Sequence, residues 1–179
     1  MRISKYTIEF KDLWDEFVKN AKNSHFFFQR DYMEYHSDRF NDFSLMFFDE
    51  KDKLIAILPA NIKENILYSH QGVTFGGFIV DDRMKTETML EIFEWLKYFL
   101  KEQNIEKVVC KCIPYIYHIK PSEEDRCALF RNDAKLIGRD VTSTIYLENK
   151  LKYQEQRKRA IKKAIENELL FEQSKNLET

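Results

Sequence analysis

RDVTSTIYLENKLKYQEQRKRAIKKAIENELLFEQS, residues 139–174, reads as three elements in a row. RDVTSTIYLE is rich in β-branched residues and predicts a strand. YQEQRKRAIKKAIENE places Arg157, Lys158, Arg159, Lys162 and Lys163 on a helix, a concentrated positive patch on a chain whose net charge is −1. LLFEQS predicts a further strand from Leu169, which needs neighbours that the residues after it cannot supply. The expectation is therefore a domain over 1–147, followed over 148–179 by a basic crossover helix and the opening strand of a missing or truncated second repeat.

Upstream, DFSLMFFDEKDKLIAILPANI (42–62) is two apolar runs joined by the polar turn DEKDK, a hairpin. NILYSHQGVTFGGFIV (65–80) is a third strand region interrupted by Gly72, Gly76 and Gly77, where a bulge or a closely approached backbone is expected. KTETMLEIFEWLKYFLKEQN (85–104) is the clearest helix. Met89, Phe93, Leu96 and Leu100 fall on one side, and Thr86 or Thr88 is positioned to cap it. Residues 3–10 alternate as an opening strand. KDLWDEFVKNAK carries Leu13, Phe17 and Ala21 at helical spacing with Asp12 as a cap, and RDYMEYHSDRF (30–40) reads as a second helix. KVVCKCIPYIYH (107–118) is a strand running into a proline loop, and SEEDRCALFRNDAKLI (122–137) is a helix. The order is β-α-α-β-β-β-α-β-α-β-α-β.

Composition fits a globular chain, with 44% hydrophobic and 33% charged residues. The 179 residues suffice to bury roughly 70% of the unfolded surface. The near-zero net charge, with one local basic patch, argues against nucleic acid as a partner. No apolar run reaches the length of a bilayer span. Three cysteines, Cys110, Cys112 and Cys127, in a chain without a signal-like start fit free thiols and a cytoplasmic location. C-x-C without further ligands is not a zinc site, so no metal is expected, and Cys127 reads as apolar helix filler.

The element order resembles the acyl-CoA N-acyltransferase (GNAT-like) fold, an α/β (α+β) architecture with a mixed, mostly antiparallel sheet flanked by helices. HFFFQRDYMEYH (25–36), ILYSHQGVTFGGFI (66–79), KVVCKCIPYIYH and the 139–174 stretch together resemble successive segments of FemABX-like proteins. They are also similar to surface-polysaccharide GNAT-family N-acetyltransferases. The resemblance spans essentially the whole chain and corresponds to an N-terminal repeat only. It implies transfer of an N-acetyl or aminoacyl group to an amine of a cell-envelope or surface-polysaccharide precursor, with this chain as the acceptor-side half. It further implies that acetyl-CoA or another acyl donor serves the complete enzyme and is held in the second repeat, supplied by a longer chain, a partner chain or self-association. One departure stands out: where relatives that hold coenzyme A carry a glycine-bearing phosphate loop, this chain reads VDDRMKTETM (80–89). Without glycine and with two aspartates, that turn is not expected to cradle a pyrophosphate.

Four groups are candidate substrate contacts. Arg157 and Arg159 have the guanidinium fork that suits phosphate, and the resemblance aligns Arg157 with a residue that holds the acceptor's diphosphate. The plainer alternative is a solvated helix face. Gln29, Arg30, Tyr32 and His36 lie on the segment that faces the acceptor groove in the family, with His36 standing where relatives carry lysine; a packed helix surface is the alternative. Ser69, His70, Gly76 and Gly77 fit a groove wall or a simple bulge; adjacent strand residues face opposite ways, which excludes a Ser69–His70 dyad. Tyr115 and Tyr117, with His118, follow Pro114, as loop contacts or packing residues. No catalytic residue is identified. A non-catalytic module for a nucleotide-sugar or another anionic ligand is the competing reading.

Overall fold

Two apolar runs that can be satisfied only by burial on both faces organise the molecule. In the computed structural model, which describes residues 1–35, 37–141 and 143–171, these runs are β3 (Leu45–Phe48) and β4 (Leu54–Leu58), and every residue of both is buried. They pair antiparallel around the turn 49–53. There Asp49 Oδ1 accepts from the Lys51 and Lys53 amides, each at 2.9 Å, and Asp52 takes a left-handed φ of 57°. β1 (Arg2–Lys5) adds to β3, and β7 (Ile79–Val80) adds to β4, giving the order β1-β3-β4-β7.

A second sheet, β2-β5-β6-β8, continues the same chain segments. β2 (Asn41–Asp42) runs into β3, and β4 runs past Pro59 into β5 (Asn61–Lys63). At the join, Phe43 N donates to Ala60 O at 2.9 Å and Ala60 N donates to Ser44 Oγ at 3.2 Å. Proline has no amide to offer a ladder, and the Ser44 hydroxyl supplies a local partner instead. β6 (Ile66–Tyr68) pairs antiparallel with β5. After α3 (Thr86–Glu102) the chain returns as β8 (Lys107–Val109), parallel to β6. Mostly antiparallel strands with one parallel crossover, flanked by helices, make this a mixed α+β fold.

Helices cover both faces. Met89, Ile92, Phe93, Leu96 and Leu100 of α3 pack with Leu45, Phe47, Leu58 and Phe78. Trp14 and Val18 of α1 (Lys11–Asn20) and Met33 of α2 (Arg30–Glu34) pack with Met46, Phe48 and Ile57. Alternate β3 residues thus serve two cores, which is why the strand carries no polar positions. α4 (Glu124–Arg131) contributes Ala128 to the α3 side.

Several expectations need correction. The opening strand stops at Lys5, and Ile8–Phe10 forms a 3-10 turn leading into α1. The buried stripe of α1 is set by Trp14 and Val18; of the predicted face, Phe17 and Ala21 pack on the same core, and Leu13 is exposed. Neither Asp12 nor Thr86 or Thr88 caps a helix: the N-cap positions are Phe10 and the extended Lys85, with no side-chain cap bond. The second helix is five residues, ending at Glu34. Cys110 and Cys112 lie beyond the end of β8, and Cys127 is exposed on α4 and fills no core.

The chain divides into two units, Met1–Gly138 and the residues from Arg139 onward. In the second, the described residues of RDVTSTIYLE form no strand: Val141 is 94% exposed, and Leu147–Asn149 is a 3-10 turn. β-branched residues favour a strand only where a neighbouring strand accepts their backbone bonds, and none pairs with them among the described residues. Leu169–Phe171 are likewise not in a strand, and the rest of LLFEQS lies outside the described residues. The basic helix does form, as α5 (Glu155–Glu166).

Candidate functional site

The third strand region leaves the second sheet after Tyr68 and joins the first at Ile79, beside β4, and residues 69–78 between them build the site. Ser69 N donates to Val109 O at 2.9 Å, and Lys111 N donates to Ser69 Oγ at 2.7 Å. Gly76 N donates to Lys111 O at 2.8 Å. The excursion is therefore stitched to the end of β8 at both its ends. Gly76 allows this closure, because a Cβ there would overlap the Ser69 carbonyl oxygen. Gly77 has a φ of 91°, the left-handed region that glycine tolerates. On the opposite side, Asn61 brackets Gln71: its Oδ1 accepts from Gln71 N at 2.7 Å and its Nδ2 donates to Gln71 Oε1 at 2.9 Å.

The excursion delivers Phe75 to a set of rings. Residues Phe26–Phe28 form a 3-10 turn, pinned where Trp14 Nε1 donates to Phe28 O at 2.8 Å. From this turn Phe27 stacks on Tyr32 (5.1 Å between centroids, 21° between planes) and meets Phe75 at 5.3 Å. Phe75 in turn stacks on Tyr117 at 5.0 Å and 21°. His25 closes the set edge-on to Phe75 at 5.3 Å and Tyr117 at 5.4 Å, and Phe26 meets Tyr32 at 5.4 Å. Phe26 is 59% exposed, Tyr32 43% and Tyr117 37%, so the outer members form an aromatic shelf open to solvent. Exposed aromatic rings are adhesive for planar or apolar ligands, while Phe75, which links the two sides, is itself buried. Burial lowers the pKa of His25 and of His118, which favours the neutral imidazole in each.

The shelf unites some of the residues singled out from sequence and separates others. Tyr32 and Tyr117 belong to it, joined through Phe27 and Phe75. Gln29 is tied down where its Nε2 donates to Asp15 O at 3.4 Å. Arg30 is a structural residue: only 3% exposed, its guanidinium contacts Glu34, Asp42 and Ser44 inside the protein. Ser69 and His70 are buried. Ser69 holds the excursion closed, and His70, at a φ of 61°, packs its ring against Phe40 at 5.6 Å. Gly76 and Gly77 shape the backbone behind Phe75. Tyr115 is 70% exposed at the start of the 3-10 turn Tyr115–Tyr117. His36 lies outside the described residues. Arg157 and Arg159 are exposed on α5 of the second unit, where Lys158 pairs with Glu155 at 2.6 Å and Lys162 with Glu166 at 3.8 Å. The ring contributors His25, Phe26, Phe27 and Phe75 were not singled out as site residues; the run HFFFQ was the signal for the first three, and the glycines around Phe75 for the last.

The turn before α3 is occupied by its own ions. Asp81 receives two bonds from Arg83, at 2.8 and 2.6 Å, and Asp82 pairs with Lys120. A cleft of about 570 Å³ beside the end of α3 and β8, lined by Leu100, Lys101 and Val108 among others, shares no residue with the shelf. No group of three histidine, cysteine or acidic residues able to hold a metal occurs among the described residues, nor does any helix there reach the length and apolarity needed to cross a membrane.

Behind the Pro114 loop, Asp125 is 8% exposed in the first turn of α4, and burial pushes its pKa up to about 6. A carboxyl whose folded pKa lies above its unfolded value binds more protons in the folded state between about pH 4 and 6, so stability falls as pH rises through that window. Asp125→Asn is therefore expected to raise the unfolding free energy by about 2–3 kcal/mol at pH 8 and by little at pH 4, at about 1.4 kcal/mol per pKa unit. Urea unfolding at the two pH values checks this. An equal effect at both would mean that the carboxyl is not held protonated by burial.

No protein-family model and no curated protein matches the sequence. Among solved structures, the wild-type protein TTHA1254 from Thermus thermophilus is 14% identical, over 82% of this chain and 98% of that one, with a TM-score of 0.42. A tetramutant of BH1408 from Bacillus halodurans is 12% identical, over 82% and 100%, with a TM-score of 0.43. Superpositions this loose say nothing about activity.

Proposed function

We propose that the Met1–Gly138 unit is the acceptor-binding lobe of an acyltransferase of the GNAT/FemABX-like kind, and that the aromatic shelf receives the planar part of a nucleotide-linked sugar. The observation that carries the reading is the shelf itself: Phe27 stacks on Tyr32, Phe75 stacks on Tyr117, and the two pairs meet through a tilted Phe27–Phe75 contact. A nucleobase offers a π-face to such a surface whatever its hydrogen-bonding edge, and each stack of this type is worth about 1–3 kcal/mol. The element order supports the family resemblance: antiparallel strands, a helix, then a strand that returns parallel to β6. The turn before α3 has no glycine, and its aspartates already hold Arg83 and Lys120, which favours an acceptor role for this lobe. The acyl group would come from acetyl-CoA or another donor held elsewhere. A non-catalytic module for the same ligand is the second reading, favoured by the lack of a nucleophile or acid/base pair among the described residues of the shelf.

Calorimetry on the full chain tests the proposal. A uridine diphosphate sugar is expected to bind and acetyl-CoA to give no heat. Tyr32→Ala and Tyr117→Ala are each expected to weaken the sugar nucleotide about tenfold, equivalent to about 1.4 kcal/mol. Unchanged affinity in both variants rejects the shelf as the site, and acetyl-CoA binding to the intact chain rejects the acceptor-side assignment. Arg157→Ala with Arg159→Ala tests the basic helix of the second unit by itself for anion binding. Acyl transfer to a bound amino-sugar in the presence of donor separates the enzyme from the module.

A further inference from the structure

The helix of the second unit divides into two faces. At about 3.6 residues per turn, Ala160, Ile161, Ala164 and Ile165 of α5 share an arc of about 140°, and both isoleucines are exposed. Lys158 and Lys162 border that arc on one side and Lys163 on the other, while Glu155 and Glu166 stand opposite. Arg157 falls on the arc's own side in the first turn, where its long stem carries the guanidinium outward. The turn that closes the helix lengthens the apolar side. Glu168, at a φ of 51°, donates its amide to Ile165 O at 3.0 Å, and Leu169 N donates to Ala164 O at 3.1 Å. Leu169 is thereby tied to a residue of the arc, and Leu169, Leu170 and Phe171 are all exposed. Between Lys150 and Lys163 the chain carries seven cations and one carboxylate, Glu155. Lys158 and Lys162 pair with Glu155 and Glu166, but Arg157, Arg159 and Lys163 meet no carboxylate among the described residues.

We propose that α5 and the Leu169–Phe171 turn form an in-plane anchor for an anionic lipid surface. Twelve helical residues are too few to span a bilayer. The helix instead lies along it, with the apolar arc in the acyl boundary and the bordering lysines among the headgroups. Charge selects this occupant. A second copy of α5 laid face to face would set the lysine borders side by side, where like charges repel. A nucleic acid would take up the cations and leave the apolar arc and Phe171 in water. An anionic bilayer satisfies both faces at once. Each Lys or Arg near its surface strengthens attachment about fivefold, and the apolar side leaves water. Arg159 stands with the glutamates on the far side of the helix and contributes least.

Cosedimentation of the full chain with lipid vesicles tests this. Phosphatidylcholine vesicles containing about one third phosphatidylserine are expected to take the protein down, and pure phosphatidylcholine vesicles to leave it in solution. Raising the salt from about 0.1 M to about 0.5 M is expected to weaken binding at least about tenfold. Lys158→Ala with Lys163→Ala is expected to weaken it about 25-fold, and Arg159→Ala about twofold or less. Ile161→Asp with Ile165→Asp, which leaves every cation in place, is expected to weaken it at least about tenfold. Should the aspartates unwind α5, seen as lost helical circular dichroism, Leu170→Ser with Phe171→Ser reads the same apolar side outside the helix. The proposal is overturned if the wild type ignores phosphatidylserine vesicles or binds pure phosphatidylcholine equally well. It is also overturned if glycerophosphoserine at equal headgroup concentration displaces the protein, which would make α5 a site for the free anion. Apolar variants that bind like wild type overturn it as well, because α5 would then hold any polyanion, nucleic acid included. None of these readouts depends on a sugar nucleotide.

Discussion

Gly76→Ala is expected to destabilise the first unit by about 3 kcal/mol or more, at the upper end of the cost of forced overpacking. The added methyl would overlap the Ser69 carbonyl oxygen and stand 3.0 Å from its carbon, and both atoms belong to backbone. Ser69 cannot retreat cheaply. Its amide donates to Val109 and its hydroxyl accepts from Lys111, while Gly76 N is itself bonded to Lys111 O. Relief must open the excursion and carry Phe75 out of the shelf. The neighbouring glycines calibrate this effect. At Gly77 the nearest atom to an added Cβ is 3.4 Å away, so Gly77→Ala costs only the left-handed φ, about 1–2 kcal/mol. At Gly72 the obstacle is the Phe40 ring, 2.7 Å from the Cβ position, a side chain that can turn. Urea midpoints for the three alanine variants should therefore place Gly76→Ala well below the other two. If Gly77→Ala were the more damaging, the strand excursion would not be closed as described.

These glycines also show what was legible in the sequence and what was not. Glycines in a strand region signalled a bulge or a closely approached backbone, and the structure has the second, with Gly76 against the Ser69 carbonyl in the loop 69–78. The hairpin 42–62 and the stripe Met89, Phe93, Leu96 and Leu100 were legible because periodicity and burial are one constraint seen twice. The strand expected at 139–148 was misread, because the same β-branched pattern describes any residues that would suit a sheet if one were adjacent. The shelf was half legible. Tyr32 and Tyr117 each stood out separately, but their union depends on Phe27 leaving a 3-10 turn and Phe75 leaving the loop between β6 and β7, and neither ring position follows from a local rule. Arginine posed the opposite problem. In the sequence Arg30 is indistinguishable from an arginine that meets ligands, because burial of its charge is decided by partners as distant along the chain as Asp42 and Tyr6.

Those partners make Arg30→Met the second large effect, an expected loss of about 3 kcal/mol, at the low end for breaking a buried ion pair. The guanidinium donates to Asp42 at 2.6 Å, Glu34 at 3.1 Å and Ser44 at 3.4 Å, and its carbon lies 3.6 Å above the Tyr6 ring and 5.3 Å from Trp14. Methionine keeps much of the volume and removes only the charge and the fork, so the loss measures the network, not a cavity. Breaking a buried pair by deleting one partner costs about 3–5 kcal/mol, because the other charge is stranded. The lower figure applies here, since Asp42 and Glu34 are 36% and 35% exposed and water recovers part of their solvation. Arg30→Lys restores charge but not the planar fork and is expected to recover less than half of the loss. At about 2–4 °C per kcal/mol for a chain of this size, the methionine variant should melt roughly 6–12 °C lower. Its folded fraction should bind the sugar nucleotide with unchanged affinity. An Arg30→Met protein that melted like wild type but lost binding would reverse the assignment, moving Arg30 from the ion-pair network between α2 and β2 to the ligand.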